Sequence, residues 1–144
     1  MARPTIDNLR SVTDFATTYN WNLSFTRFPT GVASPPDQDV NIRCTSTTVP
    51  VMTNSIVTVN LRGHKVHQPG IGEYSGTIVL NFVEGIDSKI DTWIRAWREA
   101  CWQTKTGVAK RKSETEAIIT ITRLNRQDQP IWNYKLTGCF LQAY

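Results

Sequence analysis

The residues with the most chemical potential are few and poorly spaced for catalysis. His64 and His67 form His-x-x-His, but in an extended chain residues three apart face opposite sides, and no Glu stands between them as the helical zinc motifs require. They are read as surface or interface histidines. Gly70, Gly72 and Gly76 imitate a phosphate loop only in composition, because the true fingerprint opens a helix and this stretch leads into a strand. Cys44, Cys101 and Cys139 are odd in number and far apart, which gives neither a disulfide framework nor a zinc spacing, so reduced, buried thiols are expected. There is no Gly-x-Ser-x-Gly elbow, and the carboxylates are scattered among basic residues. No catalytic, cofactor-binding or metal-ligating residue is assigned, and a non-enzymatic role is expected.

One charged cluster stands out. Lys105, Lys110, Arg111 and Lys112 lie in a polar stretch, with Glu114 and Glu116 just after them. Nucleic-acid binding also wants aromatics interleaved with the cations, which this loop lacks, so a solvated loop or an acidic protein partner is the expectation. The whole chain carries 16 Lys+Arg against 12 Asp+Glu, a formal charge of +4, far from the dense basic surface that dominates DNA affinity. Its 144 residues suit a single domain, 1–144, and exclude a two-domain enzyme. Five Trp, four Tyr and five Phe are a rich supply of rings for a core and for interfaces. No signal-peptide run opens the chain, and nowhere do about 18 consecutive apolar residues occur, so no membrane anchor is read and a cytosol-like compartment, or delivery by something other than secretion, is expected.

The elements that must position these residues follow from periodicity. Residues 1–18 are polar, carry Pro4 and show no period, and are expected to form an N-terminal arm. Tyr19, Trp21, Leu23 and Phe25 alternate with polar neighbours and predict a half-buried strand. Pro and Gly make 29–39 a loop, and the β-branched run 40–49 predicts a strand. Ile56, Val57, Val59 and Leu61 predict another strand running toward Lys65, and residues 68–72 a turn or loop. Ile78, Leu80 and Phe82 oppose Val79 and Val83, predicting a strand with both faces covered, central in its sheet. Ser88 with Asp91 fits a capping box opening a helix whose Ile90, Trp93, Ile94, Trp97 and Cys101 recur at helical spacing, leaving Lys89, Arg95, Arg98 and Glu99 for solvent or a partner. Trp93 and Trp97 are expected in the core. A strand over 115–125, with Ile119 and Ile121 on one face and Ile118, Thr120 and Thr122 on the other, a polar turn over 125–130, and a return strand carrying Trp132, Tyr134 and Leu136 complete the chain. The expected fold is mainly β, a sandwich or open barrel of about six strands with one amphipathic α-helix.

The order of these pieces resembles the tail tube proteins of contractile-tailed bacteriophages. It is carried by Thr48-Val49-Pro50, Arg62-Gly63 to Lys65, Pro69-Gly70, Tyr74, Thr77-Ile78 with Leu80, Glu84-Gly85, Asp87-Ser88, and Trp93 with Trp97. In the second half the basic loop, Ile118 to Arg123 and the ending Trp132 to Gly138 continue it, so about two-thirds of the chain is covered. The family pattern places a Pro shortly after Thr-Gly, where this chain has Leu141, and continues through further strands. The chain is read either as a short member or as one that runs on past Tyr144, and a missing terminal strand predicts an unpaired edge.

The resemblance implies a structural virion protein of the tail, assembled in the host cytoplasm, that forms stacked rings, six-membered as is usual in the family, around a lumen through which phage DNA passes without sequence-specific contact. The partners it implies are copies of the chain itself, the tail sheath protein, a tape measure protein in the lumen during assembly, and the baseplate and tail terminator proteins. No cofactor is implied. By analogy Arg62, His64 and Lys65 would lie at ring-stacking contacts, and Arg95 and Arg98 on a sheath-facing helix. Two alternatives accompany it: a tube-like baseplate initiator ring or secretion-system tube, and a monomeric nucleic-acid-binding β-barrel using the 105–112 loop.

Overall fold

The computed structural model describes residues 6–7, 18–33 and 37–144. The expected arm over 1–18 and the middle of the 29–39 loop therefore lie almost wholly outside the described residues. Among those described, the fold is mainly β, with seven strands and three helices: β1 (Trp21–Arg27), α1 (Asp37–Arg43), β2 (Cys44–Thr47), β3 (Met52–Leu61), β4 (His64–Tyr74), β5 (Leu80–Phe82), α2 (Lys89–Cys101), α3 (Lys112–Thr115), β6 (Ala117–Leu124) and β7 (Pro130–Cys139). All strand pairing is antiparallel, in a three-stranded sheet β1-β6-β7 and two two-stranded sheets, β2-β5 and β3-β4. The chain divides into two compact units, one of Met1–Asn41 with Trp93–Tyr144 and one of Ile42–Thr92.

The first unit holds the three-stranded sheet. Leu23 lies opposite Ile121 and Phe25 opposite Ile119, and all four side chains are buried, so the alternating apolar face of β1 meets that of β6. The bulky stripe of α2 packs into the same core. Trp93 and Trp97 are buried, and Phe25 meets Trp93 edge-on with ring centroids 5.2 Å apart. Phe28 joins them at 5.5 Å from Trp93 and 5.6 Å from Trp97. Such tilted and edge-to-face geometries suit the ring quadrupoles better than stacked sandwiches. The Trp97 indole N–H donates to the Thr115 carbonyl at 3.5 Å. Tyr19, expected on the buried face, precedes the strand and is exposed.

Residues 40–49 were expected to be one strand, but α1 runs through Arg43 and only Cys44–Thr47 is extended. Two features favour the helix. Val40 is completely buried, and the Asn41 carboxamide oxygen accepts the Leu23 N–H at 2.6 Å, satisfying a backbone donor of an edge strand. Packing of this kind overrides the weak β preference of a branched run.

In the second unit, β5 is short and pairs only with β2. The expectation of a central strand fails because Ile78, Leu80 and Phe82 are half-buried while Val79 and Val83 on the other face are 49% and 59% exposed. The capping box is also corrected. Glu84, not Ser88, accepts the Asp91 N–H, at 2.6 Å, and Ser88 adopts a positive φ of 48° as the turn into the helix. The capping carboxylate comes from seven residues upstream, beyond the spacing that a capping-box pattern searches.

Candidate functional site

Among the described residues the β3-β4 hairpin is the one long element whose residues are almost all exposed. Its strands pair from Leu61 with His64 back to Met52 with Tyr74, and every residue of β3 is exposed. The connection is the two residues Arg62 and Gly63, with φ of 49° and 82°. Two successive positive φ values are the signature of a type I′ turn, whose twist matches that of the flanking strands. Arg62 stands where Asn or Asp is usual, which is why the sequence does not advertise this turn.

The expected turn at 68–72 lies within β4 instead. The register shifts between Asn54 and Ile56, so that Gly70 and Ile71 oppose Ser55, forming a bulge. The Ser55 hydroxyl donates to the Ile71 carbonyl at 3.3 Å, and a Cβ at Gly70 would collide with Ser55. Pro69, which has no N–H, is tolerated beside such a bulge.

The register sorts the hairpin's side chains into two faces. Val57, Val59 and Leu61, with Gln68, Val66 and His64 opposite them, share one; Ile56, Thr58 and Asn60, with Pro69, His67 and Lys65 opposite, share the other. The first face is a run of four apolar side chains near the tip, all exposed, Val57 by 48% and Leu61 by 58%. The second is mostly polar, and Thr58 and His67 meet across it at 3.1 Å between Oγ1 and Nδ1.

The three residues assigned to ring stacking, Arg62, His64 and Lys65, thus sit together at the hairpin tip, and all are exposed. They do not share one face: His64 stands beside Leu61 and Lys65 beside Asn60 on the opposite side. Arg95 and Arg98 are exposed on α2, while Trp93 and Trp97 are buried on its other side. Among the described residues no group of three or more His, Cys, Asp and Glu is placed to hold a metal ion. Also among the described residues, no helix is long and apolar enough to cross a membrane.

Sequence reasoning missed two features. In the second unit, Arg43 donates to both carboxylate oxygens of Asp87 at 2.8 and 2.6 Å and to Glu84 at 3.3 Å, tying the end of α1 to the turn that opens α2. The guanidinium holds the Asp87 carboxyl below its ordinary range. The second feature is Trp102. It lies just outside the basic stretch, yet it forms a bridge with Ala109 and is 51% exposed, so the loop that lacked an aromatic in sequence has one in space. All three cysteines are free thiols, with Cys44 buried and its pKa pushed up to about 11 by loss of solvation.

No family model matches the chain, and no curated protein matches it significantly.

Proposed function

We propose that this chain is a structural subunit of a contractile-type tail tube, assembling into rings that stack around a lumen wide enough for DNA. The observation that carries this reading is the β3-β4 hairpin. A two-stranded ribbon is marginal in water, and this one has a run of apolar side chains on one face and two unpaired edges in its sheet. Both features call for neighbouring strands and apolar cover, and other copies of the same chain supply them in a closed ring. The order of motifs from Thr48 to Gly138 supports the same assignment. In this arrangement Arg62, His64 and Lys65 at the tip reach the next ring, and Arg95 and Arg98 face a surrounding sheath. The polar face of Thr58, Asn60, Lys65 and His67 carries no dense cationic stripe that would arrest DNA in transit.

The test is assembly of the purified protein, followed by negative-stain microscopy and sedimentation across a range of salt and concentration. Rings or tubes of uniform diameter are expected. Monomers under every condition would overturn the proposal. Charge reversal of Arg62 and Lys65 together should shorten or abolish tubes while leaving the soluble subunit folded; tubes of unchanged length would remove these residues from the stacking contact.

A further inference from the structure

The loop after α2 is held in one shape by its own hydrogen bonds. Glu99 accepts the Thr104 N–H at 3.1 Å and also the Thr104 hydroxyl. Gln103 N–H donates to the Val108 carbonyl at 3.1 Å and Gly107 N–H to the Gln103 carbonyl at 2.8 Å. The Lys110 N–H returns to the Cys101 carbonyl at 3.3 Å, and Arg111 is linked to Glu114 at the start of α3. Gly107, at φ 67°, makes the turn that lets the Trp102 ring lie beside it.

This frame presents Lys105, Lys110, Arg111 and Lys112 to solvent, together with the half-exposed indole of Trp102. Among the described residues none of these four cations forms an ion pair, whereas Glu116 is engaged by Arg27 at 3.3 Å and Glu99 by Thr104. The nearby carboxylates are thus committed to holding the loop and the neighbouring strand, and the cations are left for something else. A pre-ordered loop binds with less entropic loss than a mobile one, which favours the same use.

We propose that this loop is a docking surface for a short acidic protein segment, with the carboxylates of the partner meeting the cations and an apolar or aromatic side chain resting on Trp102. Charge complementarity selects the class of partner. An acidic segment fits better than a polynucleotide, because the patch is short, four cations bounded in sequence by Glu99 and Glu114, and one indole offers a single stacking position. Polynucleotide grooves use continuous positive charge and successive platforms. The surface exists on the isolated chain whether or not the chain assembles.

The probe is a short fluorescein-labelled peptide of Glu and Asp with one Phe, followed by fluorescence anisotropy against the full chain. Binding that weakens as salt rises is expected, and the variant Lys105→Gln/Lys110→Gln/Lys112→Gln should lose about tenfold in affinity, the sum of several exposed ion pairs. The charge-matched variant Lys89→Gln/Arg126→Gln/Lys135→Gln should bind as the native chain does, and Trp102→Ala should weaken binding several-fold. Circular dichroism verifies that each variant is folded. Equal loss in both triple variants would reduce the effect to net charge and overturn the site. Tighter binding of an oligothymidylate than of the peptide at the same salt would overturn the acidic-segment assignment in favour of a nucleic acid.

Discussion

β1 and β3 are written in the same code and meet opposite fates. Each alternates apolar and polar residues, Leu23 and Phe25 in one, Val57, Val59 and Leu61 in the other. Leu23 is fully buried and Phe25 nearly so, whereas every residue of β3 is exposed. Period two fixes which side chains share a face and says nothing about what covers that face. For β1 the cover is within the same unit, in the isoleucines of β6 and the rings of α2. For β3 it is the partner strand alone, and an apolar face left in this condition is an assembly surface or an aggregation hazard. Under the proposed function the contrast separates a part that specifies the subunit from a part that acts between subunits, and substitutions in each should separate cleanly.

The largest effect is expected at Trp97. It is 5% exposed, touches Phe25, Phe28 and Trp93, and donates to the Thr115 carbonyl. Truncating such a ring leaves a cavity and removes one of the donors to the Thr115 carbonyl, so Trp97→Ala should cost about 3–5 kcal/mol of unfolding free energy, measured by urea denaturation. A variant of native stability that merely fails to assemble would break the comparison, because the aromatic stripe would then belong to the interface.

What could be seen in the sequence follows from the range of the interaction that decides each element. The stripe Ile90, Trp93, Trp97 and the alternation Ile119, Ile121 are local patterns backed by burial, and both appear as helix and strand in the structure. The polar turn after β6 was legible for the same reason: Asn125 Oδ1 accepts the N–H groups of Gln127 and Gln129, a short-range device. The helix over 37–43 was not legible, since the Asn41 carboxamide serves the Leu23 N–H eighteen residues away and the burial of Val40 is not written in the local pattern. Nor was the hairpin turn, because Pro69-Gly70 is a stronger punctuation mark than Arg62-Gly63 and yet serves a bulge. At the candidate site, Arg62, His64 and Lys65 are near neighbours in sequence and stand together at one tip, but their distribution over two faces depends on register, which no single-strand pattern states.

A smaller effect is expected at the start of α2. Glu84 accepts the Asp91 N–H at 2.6 Å and also pairs with Arg43. Glu84→Ala removes the acceptor that serves as cap, and the loss should be about 1 kcal/mol in chemical denaturation. Asp91→Ala, which keeps the capped N–H, should cost less. If the two variants were equal, the capping box that the sequence suggests would regain its place.

Cys44 gives the comparison a pH axis. Its thiol is buried on β2, and its pKa is raised from the usual 9.0 to about 11. A raised folded-state pKa means that the unfolded chain ionises first, so stability from this group is complete below about 9 and is lost as the pH climbs toward about 11. The native thiol should resist alkylation at neutral pH, and the alkaline fall in the urea midpoint should flatten in Cys44→Ala. Rapid alkylation of folded protein at neutral pH would show that β2 opens to solvent, which would place it with the hairpin instead of with the packed elements.

The smallest effect on folding, and the sharpest test, belongs to the hairpin face. Val57→Thr/Val59→Thr preserves shape and β-branching and replaces two exposed methyl groups by hydroxyls, so the stability of the isolated subunit should change by no more than about 0.5 kcal/mol per site. In an assembly that covers this face, each hydroxyl must be buried without a ready partner, at roughly 1–3 kcal/mol apiece by mutational measures. The expected result is an unchanged thermal midpoint for the monomer and a marked loss of rings in sedimentation. Substantial destabilisation of the monomer would mean that the face is covered within the subunit in solution. An unchanged yield of rings would mean that copies of the chain meet through some other surface, and the hairpin would lose its role as the part that acts between subunits.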